Sequence, residues 1–259
     1  MKQIRRVLVE KTDIRPLAQD ISHKMNVLRQ VPLPPSINLP YLREKVQQYM
    51  DPRAEFYRDT GRNPYIEDEF SEYWTAKASN GREIGRGSGG MDVQTGAGEG
   101  IDAMCVIMNY NGSNEKSLTQ NFSLAGAQLD QLFDERRDVD ALNLFCNGYK
   151  EKIRKVREEN NLTDMYILAY ISTQTDVFAV CFYLDETMID EVRSGGFVAG
   201  GDRNIIANGF IDPSEGNVKL YKSKKRLELR LNRAVLASHY TVHLWSLNPA
   251  VAPVAEPPA

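Results

Sequence analysis

Asp102 is the side chain on which chemistry is first expected. It heads a run that is otherwise almost wholly apolar, IDAMCVIMNY (101–110). It follows a stretch, 81–100, that holds eight of the chain's eighteen glycines. A carboxylate at the head of a buried strand, beside backbone free to approach closely, has two uses. It can cap the strand, or it can help to hold a hard divalent cation such as Mg²⁺. The second use needs at least one more carboxylate, and Asp92, Glu69 and Glu115 are the candidates, with Glu99 and Glu72 also in range.

Other chemistries are poorly served. The glycine stretch is neither a dinucleotide fingerprint nor a Walker loop, because no GxGxxG stands between strand and helix and no GK[ST] follows, so no organic cofactor is expected. His23, His239 and His243 are scattered. In a strand the last two would stand roughly 13 Å apart, too far to share an ion. Ser88 and Ser117 lack a nucleophile-elbow context. Cys105, Cys146 and Cys181 lie among apolar residues without metal-ligand spacing, which reads as buried, reduced thiols in a cytoplasmic protein. No apolar run is long enough to span a membrane. The formal net charge of -3 neither supports nor excludes a nucleic-acid partner, which would be gripped by a local basic surface.

The elements that must position Asp102 follow from periodicity. Residues 13–28, 41–50 and 66–78 read as helices, with PLPPSINLP (32–40) as a rigid extended connection. In the third helix Phe70, Tyr73 and Trp74 share a side, and Glu69 and Glu72 reach the metal site if this helix packs beside the central strands. The Asn-Gly pair in NGSNEK (111–116) predicts a hairpin, which returns SLTQNFSL (117–124) alongside the Asp102 strand. Residues 127–160 read as a short and a long helix. In the long one Leu142, Phe145, Cys146, Tyr149, Ile153 and Val156 form the apolar stripe, and Lys150, Lys152, Arg154, Lys155 and Arg157 read as a solvated face. Strands are predicted at 165–173 and 177–185, a short helix at 188–193, strands within 209–232, and a last strand at 239–247. The fold expected is α/β, a central mixed sheet flanked by helices. It divides into an N-terminal helical and proline-rich segment (1–64), the α/β domain (65–248) and a disordered tail (249–259).

This order of an acid-headed strand, a turn, a second strand, a helix and two strands resembles the PD-(D/E)xK nucleases, as in type II restriction endonucleases, over about residues 65–185. In that family an aspartate at the start of one strand and an acid in the next hold Mg²⁺, and a lysine two residues beyond the second acid orients or activates water. Ile101-Asp102 matches the Pro-Asp position. Leu118-Thr119-Gln120 stands where Glu-x-Lys belongs, so Gln120 takes the lysine place and the second acid must come from Glu115, Asp92, Glu99 or the 67–72 segment.

The resemblance implies a restriction-type enzyme that hydrolyses double-stranded DNA sequence-specifically, as a homodimer matching a two-fold site. YKSKKRLELRLNR (221–233) supplies a basic strip: Lys222, Lys224, Lys225, Arg226, Arg230 and Arg233. With Arg82 and Arg86 of the glycine stretch, and Arg136 and Arg137, it could line a groove for phosphates, while Arg203 and Asn204 carry groups that read base edges. The alternatives are a nucleic-acid-binding or defence-associated protein with a degenerate nuclease core, or a scaffold without such a partner.

Overall fold

The computed structural model describes residues 26–84, 90–109, 112–114, 116–118, 126–197 and 204–248. Most of the helix expected over 13–28 lies outside these residues. Its last member, Leu28, instead opens a strand, β1 (Leu28–Val31), whose Leu28 is fully buried. The proline-rich connection ends at Asn38. Its side chain accepts from the Tyr41 amide (3.1 Å) and starts helix α1 (Leu39–Met50), with Pro40 in the first turn where a missing N–H costs nothing. Helix α2 (Ala54–Thr60) stops at Gly61, whose φ of 63° is left-handed. Helix α3 (Asp68–Ala78) leads into three strands, β2 (Arg82–Glu83), β3 (Val93–Gln94) and β4 (Gly100–Asn109).

The glycines of this stretch let the α3 end and the β3–β4 turn pack backbone on backbone. A Cβ at Gly81 would lie 2.2 Å from the Gln94 carbonyl oxygen, and one at Gly96 would lie 2.9 Å from that of Asn80.

The hairpin expected after β4 is much shorter than its sequence suggests. Among the described residues only β5 (Gly112–Ser113) returns along β4, pairing with Asn109 and Met108. The chain then leaves, and β6 (Lys116–Ser117) pairs with β12 (Arg226–Leu231) in a different sheet. Two contacts draw it away. The Ser113 hydroxyl accepts from the Leu231 amide at 2.7 Å, and Leu118, 3% exposed, is worth more inside that sheet's core than at a polar site. Leu118 therefore does not stand opposite Asp102. Gln120 and Glu115 lie outside the described residues.

Helices α4 (Gly126–Asp134) and α5 (Asp138–Asn160) follow, then β7 (Met165–Ser172) and β8 (Asp176–Leu184). The helix expected at 188–193 is a 3-10 turn, Glu186–Glu191. Strands β9 (Arg193–Phe197), β10 (Asn204–Asn208), β11 (Gly216–Tyr221), β12 and β13 (Val242–Ser246) complete the described chain.

The main sheet runs β1-β8-β7-β4-β3-β2, with β13 also on β8 and β5 on β4. Among the described strands every pairing in it is antiparallel except β4 with β7, which α5 joins as a crossover. The architecture is a mixed, mostly antiparallel sheet flanked by helices. One face is covered by α1 and α3 through Leu42, Val46, Met50 and Trp74, against Cys105, Tyr170 and Cys181. The other is covered by α4, α5 and the inner face of the second sheet, β6-β12-β11-β10-β9, through Phe133, Phe145, Tyr149, Val218 and Leu229. The segment before residue 65 thus contributes a strand and a helix to the same sheet that carries Asp102. No helix of the described residues is long and apolar enough to cross a membrane.

Candidate active site

The β3–β4 hairpin brings two acids together. Val93 pairs with Ile101 and Gln94 with Gly100, and the same register sets Asp92 opposite Asp102. The Asp92 amide donates to the Ile101 carbonyl (2.9 Å) and its own carbonyl accepts from Ile84 (2.7 Å), so its backbone is bonded on both sides. Directly opposed residues share a face, and the two carboxyls are hydrogen-bonded to each other. The Asp92 Oδ2 also accepts from the Ala103 amide at 2.9 Å.

Protein surrounds Asp102 closely, although solvent still reaches it. Desolvation and then the Asp92 charge push its pKa well above the ordinary carboxyl range. Asp92 is raised as well, because burial outweighs its hydrogen bonds with Asp102 and Ala103. Two carboxyls so placed resist ionising together, so the pair favours keeping one proton between them.

The cation facing them comes from the crossover helix. Lys152 of α5 is half-buried. Desolvation lowers its pKa, and the Asp102 charge works against that. Its stem lies along Gly90, where a Cβ would be 3.5 Å from the Lys152 Cε and where the backbone φ of 87° favours glycine.

Helix α3 adds two more acids from the other side. Asp68 accepts from the Cys105 amide at 3.2 Å and pairs with Lys116 of β6 at 3.5 Å. The β4 amides at 103 and 105 are thus taken by carboxylates rather than by a neighbouring strand. Glu72, one turn along α3 and half-buried, is pushed up to about 7, first by desolvation and then by Asp92, Asp68, Glu83 and Glu69. The site is therefore an acid pair with two further carboxyls, Asp68 and Glu72, and two ammonium groups, Lys152 and Lys116, around it, at the place where β3 parts from β4.

Not all of the candidates named from sequence meet here. Asp92 and Asp102 do. Glu69 points to solvent and acts on the site only through its charge on Glu72. Glu99 is held by the hydroxyls of Ser36 and Thr95 in the β3–β4 turn. Arg82 donates to the Gln94 side chain (3.0 Å), and Arg86 and Arg203 lie outside the described residues.

The basic strip lies on the second sheet and is largely answered by carboxylates. Lys222 reaches Asp134 (2.9 Å) and Lys225 reaches Asp130 (2.6 Å), both on α4, while Lys224 and Arg226 bind the fully buried Glu228. Arg230 lies beside Gly112. Arg137 pairs with Asp140 and Glu135, Arg136 turns the chain at a φ of 58°, and Asn204 sits opposite Tyr221 on β10.

Lys152, expected on the solvated face of its helix, is instead half-buried beside the pair. It stands three residues after Tyr149 and four before Val156, at the edge of the apolar stripe rather than opposite it, and a lysine bordering that stripe is the available signal. Comparison with models of protein families, with curated proteins and with solved structures finds no match for this chain.

Among the described residues no group of three or more His, Cys, Asp or Glu is placed to hold a metal ion. The acid pair alone offers two oxygen-bearing ligands. That donor set fits Mg²⁺, which keeps several waters and is commonly bound through one or two carboxylates. It fits also because a dication replacing the shared proton would relieve the repulsion between Asp92 and Asp102.

Proposed function

We propose that this protein is a divalent-metal-dependent endonuclease that cleaves phosphodiester bonds of double-stranded DNA. The observation that carries the reading is the hydrogen-bonded pair Asp92–Asp102 with Lys152 facing it. The resemblance to restriction-type nucleases asks for an acid on each of two consecutive strands and a lysine near the second. Asp92 stands immediately before β3 and Asp102 on β4, so Asp102 here takes the second-acid place rather than the Pro-Asp place. The place two residues beyond Asp102 is Met104, part of the apolar core, and Lys152 brings the ammonium group from a helix instead.

Asp92 and Asp102 would hold Mg²⁺, which when bound activates water and offsets charge developing on a phosphate. Lys152 holds positive charge beside the pair, where an anionic phosphate would otherwise meet only carboxylates. Glu72 exchanges a proton near neutral pH and can take one from water or return one to a leaving oxygen. A restriction-type role further implies a homodimer that reads a two-fold DNA site in the cytoplasm.

The test is cleavage of a mixed pool of plasmid and linear duplex DNA with Mg²⁺ or Mn²⁺, beside Asp92→Asn and Asp102→Asn. Cutting that needs the ion and is lost in both variants supports the reading. DNA binding with no cutting under any divalent ion would overturn it in favour of a binding module, and no binding at low salt would favour a scaffold.

A further inference from the structure

Helices α2 and α3 each carry exposed rings and cations that the acid site does not use, with the exposed acids Glu55 and Asp59 among them. Among the described residues four large hydrophobic side chains stand exposed, and three of them lie here: Phe56 (49%), Phe70 (39%) and Tyr73 (46%). Two of the three have a cation close by. Arg62 lies 5.7 Å from the Phe56 ring and Lys77 lies 5.5 Å from Tyr73. Phe70 packs 5.0 Å from Tyr49, which itself carries Arg53 at 3.8 Å. No carboxylate pairs with Arg53, Arg62 or Lys77 among the described residues, in contrast to Lys222, Lys224, Lys225 and Arg226 of the basic strip.

We infer that this face binds single-stranded nucleic acid, the rings stacking on unpaired bases and the three cations meeting the backbone phosphates. Stacking is the chemistry that needs an exposed ring face, and a free base offers one whatever its sequence. A duplex keeps its base faces inside the stack and presents only edges and phosphates. A protein partner fits less well, because protein interfaces deplete charge at their centre, whereas here a cation stands beside each ring or beside the ring it packs on. The face is also well placed. On α3, Phe70 and Tyr73 point outward while Asp68 and Glu72 turn toward β4, so a strand held on the rings lies on the helix that borders the acid pair. The inference rests on the rings and cations and not on cleavage.

Fluorescence anisotropy of a labelled fifteen-nucleotide oligo-dT, in EDTA at low salt, tests it without any cutting. The expected result is binding that is tighter than for the matching duplex. It should be lost for an abasic strand of equal length and be at least tenfold weaker for Tyr73→Ala combined with Phe70→Leu. Tyr73→Phe, which keeps the ring, should bind normally, and circular dichroism should show all variants folded. Three phosphate contacts predict a slope of log affinity against log salt of about -2.

Equal binding of the abasic strand, or no effect of the double variant, overturns the inference. So does self-association that depends on the same rings without oligonucleotide binding. A protein that binds oligo-dT but cuts nothing with Mg²⁺ keeps the inference and ends the nuclease reading. One that cuts duplex DNA but ignores oligo-dT does the reverse.

Discussion

Asp102→Asn should make the protein more stable, and only where carboxyls ionise. A carboxyl whose pKa is higher in the folded chain than in the unfolded one holds its proton more tightly when folded. Its contribution is then fully present below the ordinary carboxyl range and is lost as pH rises through the folded value. Asp92, Asp102 and Glu72 are all raised, Glu72 to about 7. The wild-type chain should therefore lose stability from about pH 4 upward through neutrality.

Asparagine keeps the shape of Asp102 and can still donate to Asp92, but it never ionises. Two like charges about 4 Å apart repel by about 4 kcal/mol at an effective dielectric of about 20. Solvent contact and Lys152 offset part of this, so a gain of about 1–3 kcal/mol is expected at pH 8, within the usual range for one substitution. For a chain of this size that is a rise in Tm of about 3–10 °C. Thermal unfolding of both proteins at pH 4, 6 and 8 measures it. The difference should be near zero at pH 4 and grow with pH. A gain at pH 4 as large as that at pH 8, or a loss at pH 8, would refute the shared-proton account.

Millimolar Mg²⁺ at pH 8 should raise the wild-type Tm by the equivalent of about 1–2 kcal/mol at ten times its dissociation constant, and differential scanning fluorimetry should show no such rise in Asp92→Asn. Lys152→Met, which strips the pair of its cation, should cost about 1–3 kcal/mol at pH 8 and much less at pH 4 by urea unfolding, since the cost arises only when the carboxyls are charged. Thr75→Val should cost about 1–3 kcal/mol because it leaves the buried Tyr170 hydroxyl, now 2.8 Å from Thr75, without that partner. Adding Tyr170→Phe should recover part of that loss. Gly81→Ala should lower Tm through the 2.2 Å approach to the Gln94 carbonyl, costing about 1–3 kcal/mol.

The long elements were legible from periodicity alone. The stripe from Leu142 to Val156 forms one α-helix, and the runs expected at 165–173 and 177–185 are the strands β7 and β8, each within one residue of those bounds. Asp102 was legible because an acid interrupts an apolar strand, and Asp92 was named with it. Their pairing was not, because β3 is only two residues long and sits in a glycine stretch that carries no alternation.

The Asn-Gly signal marked a real reversal, since Gly112 pairs back on Asn109, but misjudged where the returning chain goes. Local chemistry fixes a reversal of direction, whereas the burial of Leu118 beside Leu227 decided which sheet received the returning chain. The helix faces of Glu72 and Lys152 are readable from spacing, but their convergence on the pair depends on two helices packing on opposite faces of a sheet, which spacing does not encode. The basic strip read as a phosphate surface because Asp130 and Asp134, which answer it, lie about ninety residues earlier in the chain.

The single parallel pairing of β4 with β7 has a consequence for the order in which the molecule assembles. The two acids stand ten positions apart and meet as soon as a tight hairpin closes, a fast and local event. Their counter-charge belongs to the crossover that must run its whole length before β7 can dock, and such distant contacts form late. Until then nothing would balance two charged carboxyls in the hairpin, and a proton held between them would favour its closure. Folding and charge neutralisation at this centre are therefore one process, and refolding should be faster in mildly acidic solution than in alkaline solution.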